Sequence, residues 1–94
     1  MKKIEILTRD GTRFILQSIY LNPQFVVSVR EDELMTRDLR CEQMKRKFPA
    51  GLDQNHTLSE VVYSEANHVK RVIAIGSPES IQSKLFDNRT LLKG

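Results

Sequence analysis

The chain has 94 residues, a formal net charge of +3, 39% hydrophobic residues and 29% charged ones. That length suits one small domain, and the balance is that of a globular chain, which excludes a disordered or fibrous one. No apolar run approaches the roughly 20 residues of a membrane-spanning helix, and a single cysteine, Cys41, excludes an internal disulfide.

The start, Met1-Lys2-Lys3 and then Ile4-Glu5-Ile6, carries charge where a secretory signal is apolar, so a cytoplasmic location is expected. In that compartment the Asn-x-Thr triplets beginning at Asn55 and Asn88 are chance occurrences. Lys2 to Thr8 alternates, with Ile4 and Ile6 on one side and Lys3 and Glu5 on the other, which predicts a strand. Asp10-Gly11 is a two-residue hairpin signal, because glycine takes the positive φ that such turns require. Arg13 to Tyr20 follows as a second strand. Phe14 and Leu16 share one face and Ile15 and Ile19 the other, the pattern of a strand covered on both sides. Asn22-Pro23 breaks it. Phe25 to Arg30, rich in Val and Phe, is the third strand.

The middle changes character. Glu31-Asp32-Glu33 is acidic, Lys45-Arg46-Lys47 is basic, and the residues between contain no Gly or Pro. Acid first and base last suit a helix dipole, so one helix is expected from about Asp32 to Lys47. Leu34, Cys41, Met44 and Phe48 fall on one face of it, and Met35 and Leu39 on another. An irregular excursion between strands is the competing reading of this split stripe. Pro49-Ala50-Gly51 ends the segment, and Leu52 to Thr57 reads as a loop.

Leu58 to Ser64 and Val69 to Ile75 are expected to pair around Glu65-Ala66-Asn67-His68. Ser77 is an N-cap whose hydroxyl can accept an orphan amide proton. Pro78 at the first helical position loses no hydrogen bond there. The helix runs to about Phe86, with Ile81 and Leu85 four apart on its inner face. The elements run β-β-β-α-β-β-α. They predict an α+β fold in which a mostly antiparallel sheet of about five strands packs one or two helices. Residues 1–86 form the domain, and 87–94 are expected to be a flexible tail.

The chemistry-bearing residues are sparse. His56 and His68 are expected in loops or turns, and with Cys41 they do not have the spacing of a metal site. Cys41 has no histidine near it in sequence to act as a base. The chain contains no phosphate-binding glycine loop and no nucleophile elbow. Glu31-Asp32-Glu33 reads as a helix cap in preference to a cation site. At Gly76-Ser77-Pro78-Glu79, Pro78 removes a donor and Glu79 repels anions, so capping outweighs phosphate binding. No enzyme activity, cofactor or metal is expected.

Leu7-Thr8-Arg9, Asp10-Gly11 and Phe14-Ile15-Leu16 resemble the start of the small FlbD/SwrD-like flagellar regulatory proteins. The last strand with Gly76-Ser77-Pro78-Glu79-Ser80-Ile81 is similar to the strand-to-helix end of that family. The resemblance covers roughly the first 30 residues and Val69 to Leu85. Glu31 to Leu52 has no counterpart. The matching residues serve turns and core, so the resemblance implies fold and assigns no site. In size and charge the chain is also similar to small accessory proteins of tailed phages.

The first functional expectation is a non-catalytic regulatory or accessory protein. It would bind a larger protein or assembly through a sheet edge or the mid-chain helix. Met35, Arg37, Leu39, Arg40 and Met44 are its candidate contacts, since one apolar stripe can face the core while the other faces a partner or a second subunit of a homodimer. The alternative is a small RNA- or DNA-binding regulator using Arg40, Lys45, Arg46 and Lys47, with Lys2, Lys3, Lys70 and Arg71 adding charge on strands. Six aromatics and no Trp leave little for base stacking. Neither a membrane nor a small-molecule substrate is expected.

Overall fold

The structure, a computed structural model, describes residues 1–86; the expected tail at 87–94 lies outside them. β1 (Lys2–Asp10) and β2 (Arg13–Leu21) form a hairpin closed by Gly11-Thr12. Only Gly11 of this pair has a positive φ, +65°. The turn is therefore of the II′ kind, with Asp10 still inside the strand. A 3-10 turn at Pro23–Phe25, capped by Asn22, leads into β3 (Val26–Glu31). α1 (Glu33–Arg40) and a 3-10 turn at Glu42–Lys47 follow. Next come β4 (Leu58–Glu65), β5 (His68–Ile75) and α2 (Pro78–Phe86). The turn between β4 and β5 is Ala66-Asn67, with φ of 50° and 68°, a I′ turn. Five strands pair antiparallel in the order β2-β1-β5-β4-β3, the expected α+β architecture in the expected order of elements.

Alternation along the strands splits the apolar residues between two faces. On one face Ile4, Ile6, Leu21, Val61 and Ala74 are sealed by Ile81 and Leu85 of α2. On the other, Leu7 and Leu58 are sealed by Leu39 and Phe48, with Phe14, Met35 and Met44 packed around them. Phe14 and Phe48 stack with ring centroids 5.3 Å apart. α2 starts as its sequence requires: the Ser80 N–H donates to Ser77 Oγ at 3.1 Å. Gly76 turns the chain into it with φ +131°, and a Cβ there would lie 3.3 Å from Ile81 Cδ1.

The single helix expected over 32–47 is corrected. α1 stops at Arg40, and Cys41 adopts an extended backbone with φ −85° and ψ 122°. The reason lies in the split stripe. At about 100° per residue, a straight helix would set Leu39 and Phe48 on opposite sides. The break at Cys41 brings both into the same core, at 1% and 5% exposure.

Thr36 fixes α1 to the sheet. Its hydroxyl donates to the Leu58 carbonyl at 3.2 Å and accepts from the Leu58 N–H at 2.9 Å, while the Asp32 N–H donates to the same carbonyl at 2.8 Å. Asp32 also caps the helix, accepting from the Met35 N–H at 3.0 Å. Thr36→Val keeps the shape but strands a buried amide, which costs about 1–3 kcal/mol. The thermal midpoint is expected to fall by roughly 4–8 °C for each kcal/mol. Thr36→Ser, which keeps the hydroxyl and both of its bonds to Leu58, should avoid most of that loss, as calorimetry of the pair would show.

Candidate functional site

β2 is an edge strand; Ile19 and Leu21 pack into one core and Phe14 into the other, but the expected cover on both faces is incomplete. Its nine residues contain one charge, Arg13, and no proline. Ile15, Leu16 and Tyr20 are 45%, 51% and 62% exposed. Such an edge presents unpaired N–H and C=O groups to any extended chain. The opposite edge, β3, is guarded. It has six residues, a bulge between Val26 and Ser28, Pro23 in the turn before it, and Arg30 and Glu31 at its end. Short length, bulges and charge are the devices that blunt an edge, and β2 lacks the first two entirely.

The hairpin fixes which backbone groups of β2 are available. In a hairpin with a two-residue turn the flanking pair, Asp10 and Arg13, is hydrogen-bonded, and bonded and non-bonded pairs then alternate. Ile15, Gln17, Ile19 and Leu21 therefore turn their backbone groups toward β1. Phe14, Leu16, Ser18 and Tyr20 turn theirs outward. Two side-chain contacts stiffen the strand: Thr8 Oγ1 donates to Gln17 Oε1 at 2.7 Å, and Ser18 Oγ donates to Glu5 Oε2 at 2.8 Å.

The mid-chain contact residues separate. Leu39 is core, so it is not available to a partner, and Met35 and Met44 pack partly against the same cluster. The second apolar stripe is consumed by the protein's own sheet because the sheet has two faces to cover. Arg37 and Arg40 are exposed, and Arg40 Nη2 donates to the Asn55 carbonyl at 3.5 Å. Leu34, assigned to the inner stripe of the longer helix, is 63% exposed.

The basic residues also divide. Lys45, Arg46 and Lys47 meet Arg13 around an open cavity of about 750 Å³ whose apolar lining includes Leu39, Phe48 and Leu52. Arg40 does not line that cavity, because the break at Cys41 ends the helix that would have aligned it with Lys47. On the strands four cations meet carboxylates, while Lys2 is in no ion pair among the described residues. Lys3 lies 3.9 Å from Glu5 and Lys70 3.3 Å from Glu65, while Arg30 and Arg71 lie 3.4 and 4.0 Å from Glu60. A second cavity, of about 480 Å³, opens at the far end of β2 beside Tyr20, Leu21, Phe25 and Glu65. The two cavities thus bracket the edge strand.

His56 is exposed in the loop before β4, and His68 is the first residue of β5, not a turn residue. Cys41 is a half-buried free thiol. Among the described residues, no three His, Cys, Asp or Glu side chains gather as a metal site would require, and no helix is long and apolar enough to cross a membrane. No protein-family model matches the chain, and no curated protein or solved structure is significantly similar to it, so any reading of function rests on geometry.

Burial separates the two kinds of mid-chain residue in an experiment. Leu39→Ala is expected to cost about 2–5 kcal/mol, whereas Arg37→Ala should stay within about 0.5 kcal/mol. Urea titrations of both variants give the comparison directly.

Proposed function

We propose that this chain is a non-catalytic binding module whose working surface is the outer edge of β2, and that it acts by taking an extended polypeptide segment as a sixth strand. The observation that carries this reading is the asymmetry of the two edges: β3 is bulged and short, while β2 is long, unbulged and charged at one end only. Main-chain hydrogen bonds supply affinity in strand addition, and alternate side chains supply selectivity. Here Phe14, Leu16, Ser18 and Tyr20 offer the backbone groups, with Ile15 and Leu16 giving apolar contact on opposite faces. The mid-chain helix contributes less to this reading than the sequence suggests, since Leu39 and much of Met35 and Met44 are spent inward.

The amide protons report on it. At a chain concentration too low for self-association, a synthetic peptide of residues 13–21, flanked by lysines for solubility, serves as the added strand. It is expected to slow hydrogen exchange at Phe14, Leu16, Ser18 and Tyr20. The Ile15, Gln17 and Ile19 amides, already bonded to β1, should change little. Protection without this alternation, or none at millimolar peptide, sinks the reading.

A second reading, nucleic-acid binding, draws on the meeting of Arg13, Lys45, Arg46 and Lys47 around one cavity. Among the described residues none of the four is in an ion pair. Single-stranded binding through such a cluster should lose affinity with salt at a logarithmic slope of roughly −3, about −0.7 per phosphate contact. Lys45→Gln with Arg46→Gln should flatten that slope. Binding to an oligonucleotide that is indifferent to salt would dismiss this reading.

A further inference from the structure

Resting on the strand-addition reading, we infer that the occupant of the β2 edge is β2 of a second copy of this chain, antiparallel and centred on Gln17, so that two five-stranded sheets join into one. The parity of the strand carries the argument. Two identical strands related by a two-fold axis pair residues whose numbers have a constant sum. The register that overlaps all nine residues places Gln17 on the axis. It sets Phe14 against Tyr20, Leu16 against Ser18, Ile15 against Ile19 and Arg13 against Leu21. Hydrogen-bonded pairs in this register must fall on residues whose backbone groups point outward. Phe14, Leu16, Ser18 and Tyr20 are those residues, and each is paired with another of the set. The arrangement therefore satisfies every free backbone group along the strand, at roughly two hydrogen bonds per bonded pair.

The side chains agree with the backbone. Ile15 meets Ile19 on one face, and Phe14 meets Tyr20 on the other, pairings of the apolar and aromatic kind that stabilise sheets. Gln17 meets its own copy in a non-hydrogen-bonded pair, where side chains approach most closely. Its Oε1 is already oriented by Thr8 Oγ1 at 2.7 Å, which leaves the amide N–H groups to cross the axis. Charge bears on the direction of pairing. Arg13 and the cations of 45–47 make one end of β2 basic, while at the other end Lys2 stands opposite Leu21 and Glu65 lies 3.3 Å from Lys70. Antiparallel pairing keeps the two basic ends about 27 Å apart, the length of the strand, well beyond the Debye length of about 8 Å at physiological salt. Parallel pairing would set them side by side.

The register makes a cross-linking test sharp. On a Cys41→Ser background, Gln17→Cys puts two thiols on the axis with Cα atoms about 4.5 Å apart, inside the range a disulfide can bridge. Ile15→Cys puts its two thiols several residues from each other. Mild oxidation is expected to convert the Gln17→Cys chain to a covalent dimer and to leave Ile15→Cys as monomer on a non-reducing gel. Sedimentation of the natural chain should show a concentration-dependent dimer. Gln17→Lys, at an exposed position and with two like charges set face to face, should weaken association by at least about tenfold with an unchanged circular dichroism spectrum. A natural chain that sediments as a monomer at millimolar concentration overturns the inference, as does equal cross-linking at both positions. If the chain is monomeric but the peptide still protects the outward amides, self-pairing falls and strand addition stands. If neither occurs, both fall.

Discussion

Everything in this fold depends on a sheet that must be covered on both faces by a chain with very little left over to cover it. The need is written into adjacent residues. Ile6 and Leu7 are neighbours on β1, yet one belongs to the core under α2 and the other to the core under α1. Their partners on β5, Ala74 and Ile73, divide in the same way. A strand buried on one side only could be shielded by a single helix. Here the pleat sends apolar side chains both ways, and each face needs its own lid. α2 is a regular helix with a standard start. The other lid is assembled from α1, an extended Cys41 and a 3-10 turn, because no straight helix of this sequence could deliver both Leu39 and Phe48 to the sheet.

This demand explains why the outside of the protein looks as it does. With Leu39 and Phe48 buried and Met35 and Met44 partly so, few large side chains remain exposed in a row except on β2. α2 packs on β1 and β3, and the second lid reaches β2 at Phe14. The strand at one margin is shielded by the bulge and charges it carries, whereas the strand at the other has no comparable protection. The exposed apolar stretch of β2 is thus a by-product of where the covering material runs out.

Much of the fold was legible in the sequence because its signals are local. Gly11, the Asn22-Pro23 break and the Ser77-Pro78 cap each act within a few residues, and the structure uses each at its expected place. Two things were not legible. The break at Cys41 answers to the position of the sheet, which the local sequence of 32–47 does not contain; Glu, Arg, Leu and Met there are all good helix formers. The edge position of β2 depends on β1 choosing β5 as its other neighbour, a pairing between the two ends of the described chain. Phe14-Ile15-Leu16 would read the same in a central strand as in a marginal one, so the exposed Ile15 and Leu16 looked like core. Thr36 escaped notice for a similar reason: its hydroxyl matters only because Leu58 of β4 arrives beside it.

The join between β1 and β5 has a consequence for how the molecule assembles over time. The hairpins β1–β2 and β4–β5 close on two-residue turns, the kind of event that takes microseconds. The join registers just Ile6 with Ala74 and Leu7 with Ile73, and nearly the whole chain must loop round before those pairs can meet. Closing so long a loop loses entropy before any contact compensates for it, which makes this the slow stage of folding. Until it is complete, the N-terminal hairpin is bare along both of its sides, and a nascent chain in a crowded setting is most vulnerable to mispairing during that interval.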